Sequence, residues 1–181
     1  MRSNLISIVL VASVPAIAAE TVILGSNRNA MACYQAATVH PESADASSCT
    51  SAIKDGGLSQ TDLAATYSNR GIILANTGKI DEAIQDQTTA VQLDPKSARA
   101  HNNRANAYYR AKRHQEALTE YNQAIQLSGG KLAPAYYNRA QAHNALGQKD
   151  AARQDLQQAA MLAPEKYQQA LDSLDHPNAG S

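Results

Sequence analysis

One short motif returns three times along this chain, and it limits the fold more than any other feature. The first copy reads Tyr67-x2-Arg70-Gly71-x2-Leu74, followed by Ala83-x3-Gln87, Ala90 and Pro95. The second reads His101-x2-Arg104-Ala105-x2-Tyr108, followed by Ala117-x3-Tyr121 and Ala124. The third reads Tyr136-x2-Arg139-Ala140-x2-His143, followed by Ala152-x3-Leu156, Ala159 and Pro164. Gly71, Ala105 and Ala140 are spaced by 34 and 35 residues, and the extra residue falls at Gly129-Gly130, where a loop absorbs it. A constant period of this length describes a row of like units, none able to bury its apolar side alone, so that neighbours must stack. Small residues at helical spacing and Gly or Pro punctuation divide each unit into two helices. They are expected near 60–76 and 80–93, 97–111 and 114–127, and 132–146 and 149–162.

Composition fits close helix packing. The chain has no Phe and no Trp, so Ala, Leu, Ile and Val must form the core, and small side chains let helix backbones approach. Sixteen basic residues balance sixteen acidic ones without a clustered basic patch. A nucleic-acid polyanion is therefore not the expected partner.

The motif resembles that of the tetratricopeptide repeat family, whose pattern is an aromatic-x2-Leu-Gly-x2-Tyr segment, an Ala-x3-aromatic segment and a closing Pro. The resemblance covers Ala64 to Pro164, 101 of 181 residues. It implies an all-α, right-handed superhelical solenoid of antiparallel helix pairs. The units would be residues 64–97, 98–132 and 133–166, preceded at 19–63 by a degenerate helical hairpin. A capping helix at 165–174 and a disordered tail at 175–181 would follow. In the capping helix, Tyr167, Ala170, Leu171 and Leu174 make one apolar face.

In this family the first helices line a concave groove that holds extended peptides or partner helices. Carried over by position, the groove would present Asn69, Arg99, Asn102, Asn103, Asn106, Tyr109, Arg110, Tyr137, Asn138, Gln141 and Asn144. Asn both donates and accepts, so it can bond an extended backbone of any sequence. Some members clamp a C-terminal carboxylate with a Lys and an Asn on the first helix. Ser68 and Ile72 stand in those places, so that clamp is not expected here.

The family's Leu slot is Arg in every unit, and always follows Asn. Sixteen residues beyond Arg70, Arg104 and Arg139 stand Asp86, Glu120 and Asp155. The plain reading is a structural ion pair in each unit, because paired charge is the usual way to keep Arg at a packed surface. The sharper reading leaves Arg104 and Arg139 free to grip a ligand carboxylate.

The first residues read as an export signal. Arg2 is positive, Leu5 to Val14 is almost wholly apolar, and Ala16-Ile17-Ala18 is a small-residue cleavage site, so cleavage is expected after Ala18 or Ala19. The apolar run is short for a membrane span, which takes about 20 residues. The chain is thus expected in the periplasm or secreted, without stable membrane insertion. Its two cysteines, Cys33 and Cys49, then read as one disulfide. The motif register supports this, placing them opposite each other across the hairpin. A metal reading would have to recruit His40 and still lacks a fourth ligand. A redox reading lacks the Cys-x-x-Cys spacing.

No nucleophile set, phosphate loop or carboxylate pair has motif context, so neither catalysis nor a cofactor is expected. The functional expectation is a non-catalytic module that binds a peptide segment of a partner in the concave groove. The alternatives are a self-assembling envelope scaffold and an accessory subunit of an envelope complex.

Overall fold

In the computed structural model, residues 27–39 and 41–175 are described. The segment expected to be an export signal, His40 and the tail beyond Asp175 lie outside them. Among the described residues there are nine helices and no strand: α1 Arg28–Val39, α2 Ser47–Asp55, α3 Gln60–Asn76, α4 Ile80–Leu93, α5 Ala98–Arg110, α6 His114–Leu127, α7 Ala133–Ala145, α8 Lys149–Leu162 and α9 Pro164–Asp175.

Several helix ends have a local cause. Ser59 caps α3, its hydroxyl accepting from the Asp62 amide at 3.1 Å, and Ser97 caps α5 by accepting from the Ala100 amide at 3.2 Å. Either cap satisfies an amide that the first turn leaves without an intrahelical partner. α3, α5 and α7 all end in the same reversal. Lys79 N–H donates to the Leu74 carbonyl at 2.8 Å, Arg113 N–H to Tyr108 at 2.9 Å, and Gln148 N–H to His143 at 2.9 Å. That closure needs one left-handed residue, supplied by Gly78 (φ 85°), Lys112 (φ 59°) and Gly147 (φ 75°).

The helices pair in sequence order. α1 packs on α2, α3 on α4, α5 on α6 and α7 on α8, while α4–α5, α6–α7 and α8–α9 join one pair to the next. The first helices also touch directly, α1 with α3 and α3 with α5. This arrangement is a solenoid. Alanines mark the crossings: Ala83, Ala90, Ala105, Ala117, Ala124 and Ala159 are fully buried. Tyr121 is the largest fully buried side chain and packs with Ala105, Ala117, Leu118 and Ala142. At the N-terminal end Cys33, Ala37 and Cys49 close over Ile73, with the two sulfurs 2.13 Å apart. At the other end Ala170 and Leu171 of α9 cover Ala140, Ala152 and Leu156.

Candidate functional site

The three Arg–acid intervals each span one helix pair. Arg70 holds Asp86 with two bonds, Nε to Oδ2 at 2.7 Å and Nη2 to Oδ1 at 2.8 Å. Arg139 holds Asp155 in the same way, at 2.8 and 2.6 Å. Each also reaches the preceding second helix, Arg70 to Thr50 and Arg139 to Asn122. The pair with Asp86 holds the Arg70 guanidinium above its usual range. Repeat two departs from this pattern. Glu120, one methylene longer, divides its oxygens between Arg104 at 2.6 Å and His101 Nδ1 at 2.8 Å. Arg104 Nε is left buried without a partner. All three arginines are therefore engaged within the scaffold, and none is free to grip a ligand carboxylate.

Four of the groove asparagines bond mainly to one another. Asn103 Nδ2 donates to Ser68 Oγ (3.0 Å), and Ser68 donates in turn to Gln87 Oε1 (3.1 Å). Asn102 Nδ2 reaches Asn103 Oδ1 at 3.4 Å. Asn138 Nδ2 is shared between Asn102 (3.3 Å) and Asn106 (3.0 Å), and Asn106 Oδ1 also accepts from the Tyr121 hydroxyl at 2.7 Å. Together they form an amide ladder through α3, α5 and α7. Asn102 is buried at 8% exposure, so it does not present itself to a groove as the sequence suggests. Gln87, the odd residue of repeat one, anchors the ladder's end by donating to the Ser68 carbonyl at 2.9 Å. By position in the repeat these amides point toward a ligand. Their true partners depend on how far one repeat rotates against the next, which no spacing within a repeat reports.

Other groove residues are partly spent. Arg110 donates to the Ala75 carbonyl and to Asn76 Oδ1. Tyr137 is stacked by Tyr167 of α9, with ring centroids 5.0 Å apart, and Tyr109 lies against His114.

Among the described residues, Asn69, Arg99, Gln141 and Asn144 have no side-chain hydrogen-bond partner. They fall in two clefts on either side of the ladder. The first, about 350 Å³, lies between α1, α3 and α5, with Tyr34, Ala64, Ala65, Asn69, Arg99 and Ala100 in its wall. The second, about 270 Å³, lies between α7, α8 and α9, where Gln141, Asn144 and Ser173 rim a floor of Ala140, Ala152, Leu156 and Ala170. Polar rims over small apolar floors suit a peptide, whose backbone needs hydrogen bonds while its side chains need burial. Among the described residues no cluster of His, Cys, Asp or Glu could hold a metal ion, and no helix is long and apolar enough to cross a membrane.

Comparison with known proteins places this geometry. Residues 68–131 and 133–166 both match the tetratricopeptide repeat. The chain belongs to the tetratricopeptide repeat family. Tetratricopeptide repeat protein 36 of Caenorhabditis elegans is 36% identical over 41% of this chain and 41% of its own length. RNA polymerase II-associated protein 3 of Mus musculus is 31% identical over 71% of this chain and 21% of its own. The chain thus spans less than half the length of these relatives. Among solved structures, the first tetratricopeptide domain of Spaghetti bound to the HSP90 peptide SRMEEVD superimposes with a TM-score of 0.59 and 28% identity, over 65% of this chain and 96% of that one. Tetratricopeptide repeats account for α3 to α8. The family-model matches begin at residue 68, within α3, and do not reach the hairpin of α1 and α2 that carries Cys33 and Cys49.

Proposed function

We propose that this chain is a non-catalytic interaction module that holds an extended peptide segment of a partner protein along its first-helix face. One observation carries the reading: the unspent polar side chains of that face collect in two clefts, each with a small apolar floor. A scaffold that only packed against itself would leave them scattered. A peptide-bound solved neighbour of the same fold supports this use. The segment before Ala19 and the paired cysteines support export to a bacterial periplasm, where the partner would be an envelope protein.

The test is a pull-down from envelope extract, with oligomeric mass measured in parallel by light scattering. Asn69→Ala with Asn144→Ala should abolish capture of the partner and leave mass unchanged, since neither residue serves the ladder. Unchanged capture with altered mass would favour self-assembly.

A further inference from the structure

We infer that the first cleft receives an acidic side chain from within an extended partner segment, with Arg99 as the receiving group. This rests on the proposed groove and names the chemistry of its ligand.

The inference starts from the groove's charge. Arg70, Arg104 and Arg139 are each neutralised by their own acid. Arg99 has no carboxylate within ion-pair distance among the described residues and stands exposed in the cleft wall. Lys96, in the link just before α5, is a second exposed cation three residues from Arg99 in the chain. Two acids lie near. Asp94 lines the cleft without pairing to Arg99, and Asp62 is turned onto the Ser59 hydroxyl at 2.7 Å. The first turn of α5, whose cap Ser97 lines the cleft, contains no acidic residue. Asn69, which lines the same cleft from α3, can bond the backbone next to the captured side chain.

A terminal carboxylate is the less suitable occupant. The position that would place a cation deeper in the groove is Ser68, whose hydroxyl already serves both Asn103 and Gln87. The free charge sits at the groove's mouth, where a segment passing through can present a side chain.

The test uses the full chain and three fluorescein-labelled ten-residue peptides read by fluorescence polarisation at low salt. The first alternates Glu with Ala and is N-acetylated and C-amidated. The second replaces each Glu by Gln. The third replaces Glu by Gln but keeps a free C-terminal carboxylate. The Glu peptide should bind at least about tenfold more tightly than either Gln peptide and should weaken as salt screens the charge. Arg99→Glu should erase the difference. Glu is well placed in a helix's first turn, so the variant keeps its fold, and Arg99→Gln should reduce the preference by a smaller factor. Equal binding of the Glu and Gln peptides, a preference that survives Arg99→Glu, or tight binding of the free-carboxylate Gln peptide would each overturn the inference. If partner capture still depends on Asn69 and Asn144 in that case, the interaction module stands and only the acidic reading falls.

Discussion

Gln87 occupies the space that a side chain at Gly71 would need: a Cβ built on Gly71 stands 2.6 Å from Gln87 Nε2. Repeats two and three solve the same crossing with Ala105 against Tyr121 and Ala140 against Leu156. Gln87 is buried at 1% exposure and bonded to Ser68 twice, so it does not swing aside freely. Gly71→Ala gains about 1 kcal/mol of helix propensity but overpacks the crossing, at about 1–3 kcal/mol. We expect net destabilisation in urea unfolding. Adding Gln87→Leu should relieve it, with a favourable coupling of about 1 kcal/mol or more in the double-mutant cycle.

Lys112 has the left-handed conformation that Gly78 and Gly147 have at the equivalent turns, with φ 59°. A non-glycine residue pays about 1–2 kcal/mol there. Lys112→Gly should therefore raise stability by about 1 kcal/mol, read as a higher urea midpoint at constant m. An unchanged or lower midpoint would mean that the turn gives no strain to relieve.

The ion pairs should differ by burial. Asp155 is 6% exposed and bonded twice by Arg139, whereas Arg113 and Glu116 are about half exposed. Asp155→Asn should cost about 2–3 kcal/mol, since it removes charge-assisted bonds and leaves Arg139 without its counter-charge. Glu116→Gln should cost far less, and less again in high salt. Equal losses in thermal unfolding would show that the buried pair contributes no more than a surface one.

The sequence showed the helices more clearly than the site. Small residues, glycines and prolines act within one or two turns, so the limits of α3 to α8 fall within two residues of those expected. The Arg–acid interval was legible for the same reason, because both ends sit on two rigid helices of one unit. The amide ladder was not, because Asn138 meets Asn102 and Asn106 only through the placement of one repeat on another. Tyr137 read as open groove, since nothing in its own repeat signals that Tyr167 lies across it.

Alkaline pH should expose the role of Tyr121. Burial pushes its hydroxyl well above the ordinary tyrosine value. The folded state then keeps a proton that the unfolded chain releases. Its stabilising contribution is whole below the unfolded value, about pH 10, and falls as pH rises beyond it, by about 1.4 kcal/mol per unit. Urea unfolding from pH 9 to 11 should show this slope, and Tyr121→Phe should remove most of it, leaving the smaller part due to Tyr167, whose hydroxyl is also pushed up by burial. The same variant should be less stable at neutral pH, having lost the bond to Asn106. Parallel pH slopes for the two proteins would exclude Tyr121 as the titrating group.

Reduction should loosen the N-terminal end alone. Cys33 and Cys49 stand at disulfide distance across α1 and α2, and with Ala37 they bury Ile73. A bridge closing a loop of this size contributes about 3 kcal/mol by limiting the unfolded chain. In a solenoid each unit leans only on its neighbours, so losing the bridge should not propagate far. Hydrogen exchange with and without reductant should show amides of α1, α2 and the Ile73 turn of α3 losing protection by up to about a hundredfold, while those of α5 to α8 keep theirs. Thiol titration of the unreduced, denatured protein should find no free thiol. Two reactive thiols would mean that the hairpin is held by packing on α3 without a covalent link, and equal loss of protection along the whole chain would mean that the bridge supports the solenoid as one cooperative unit.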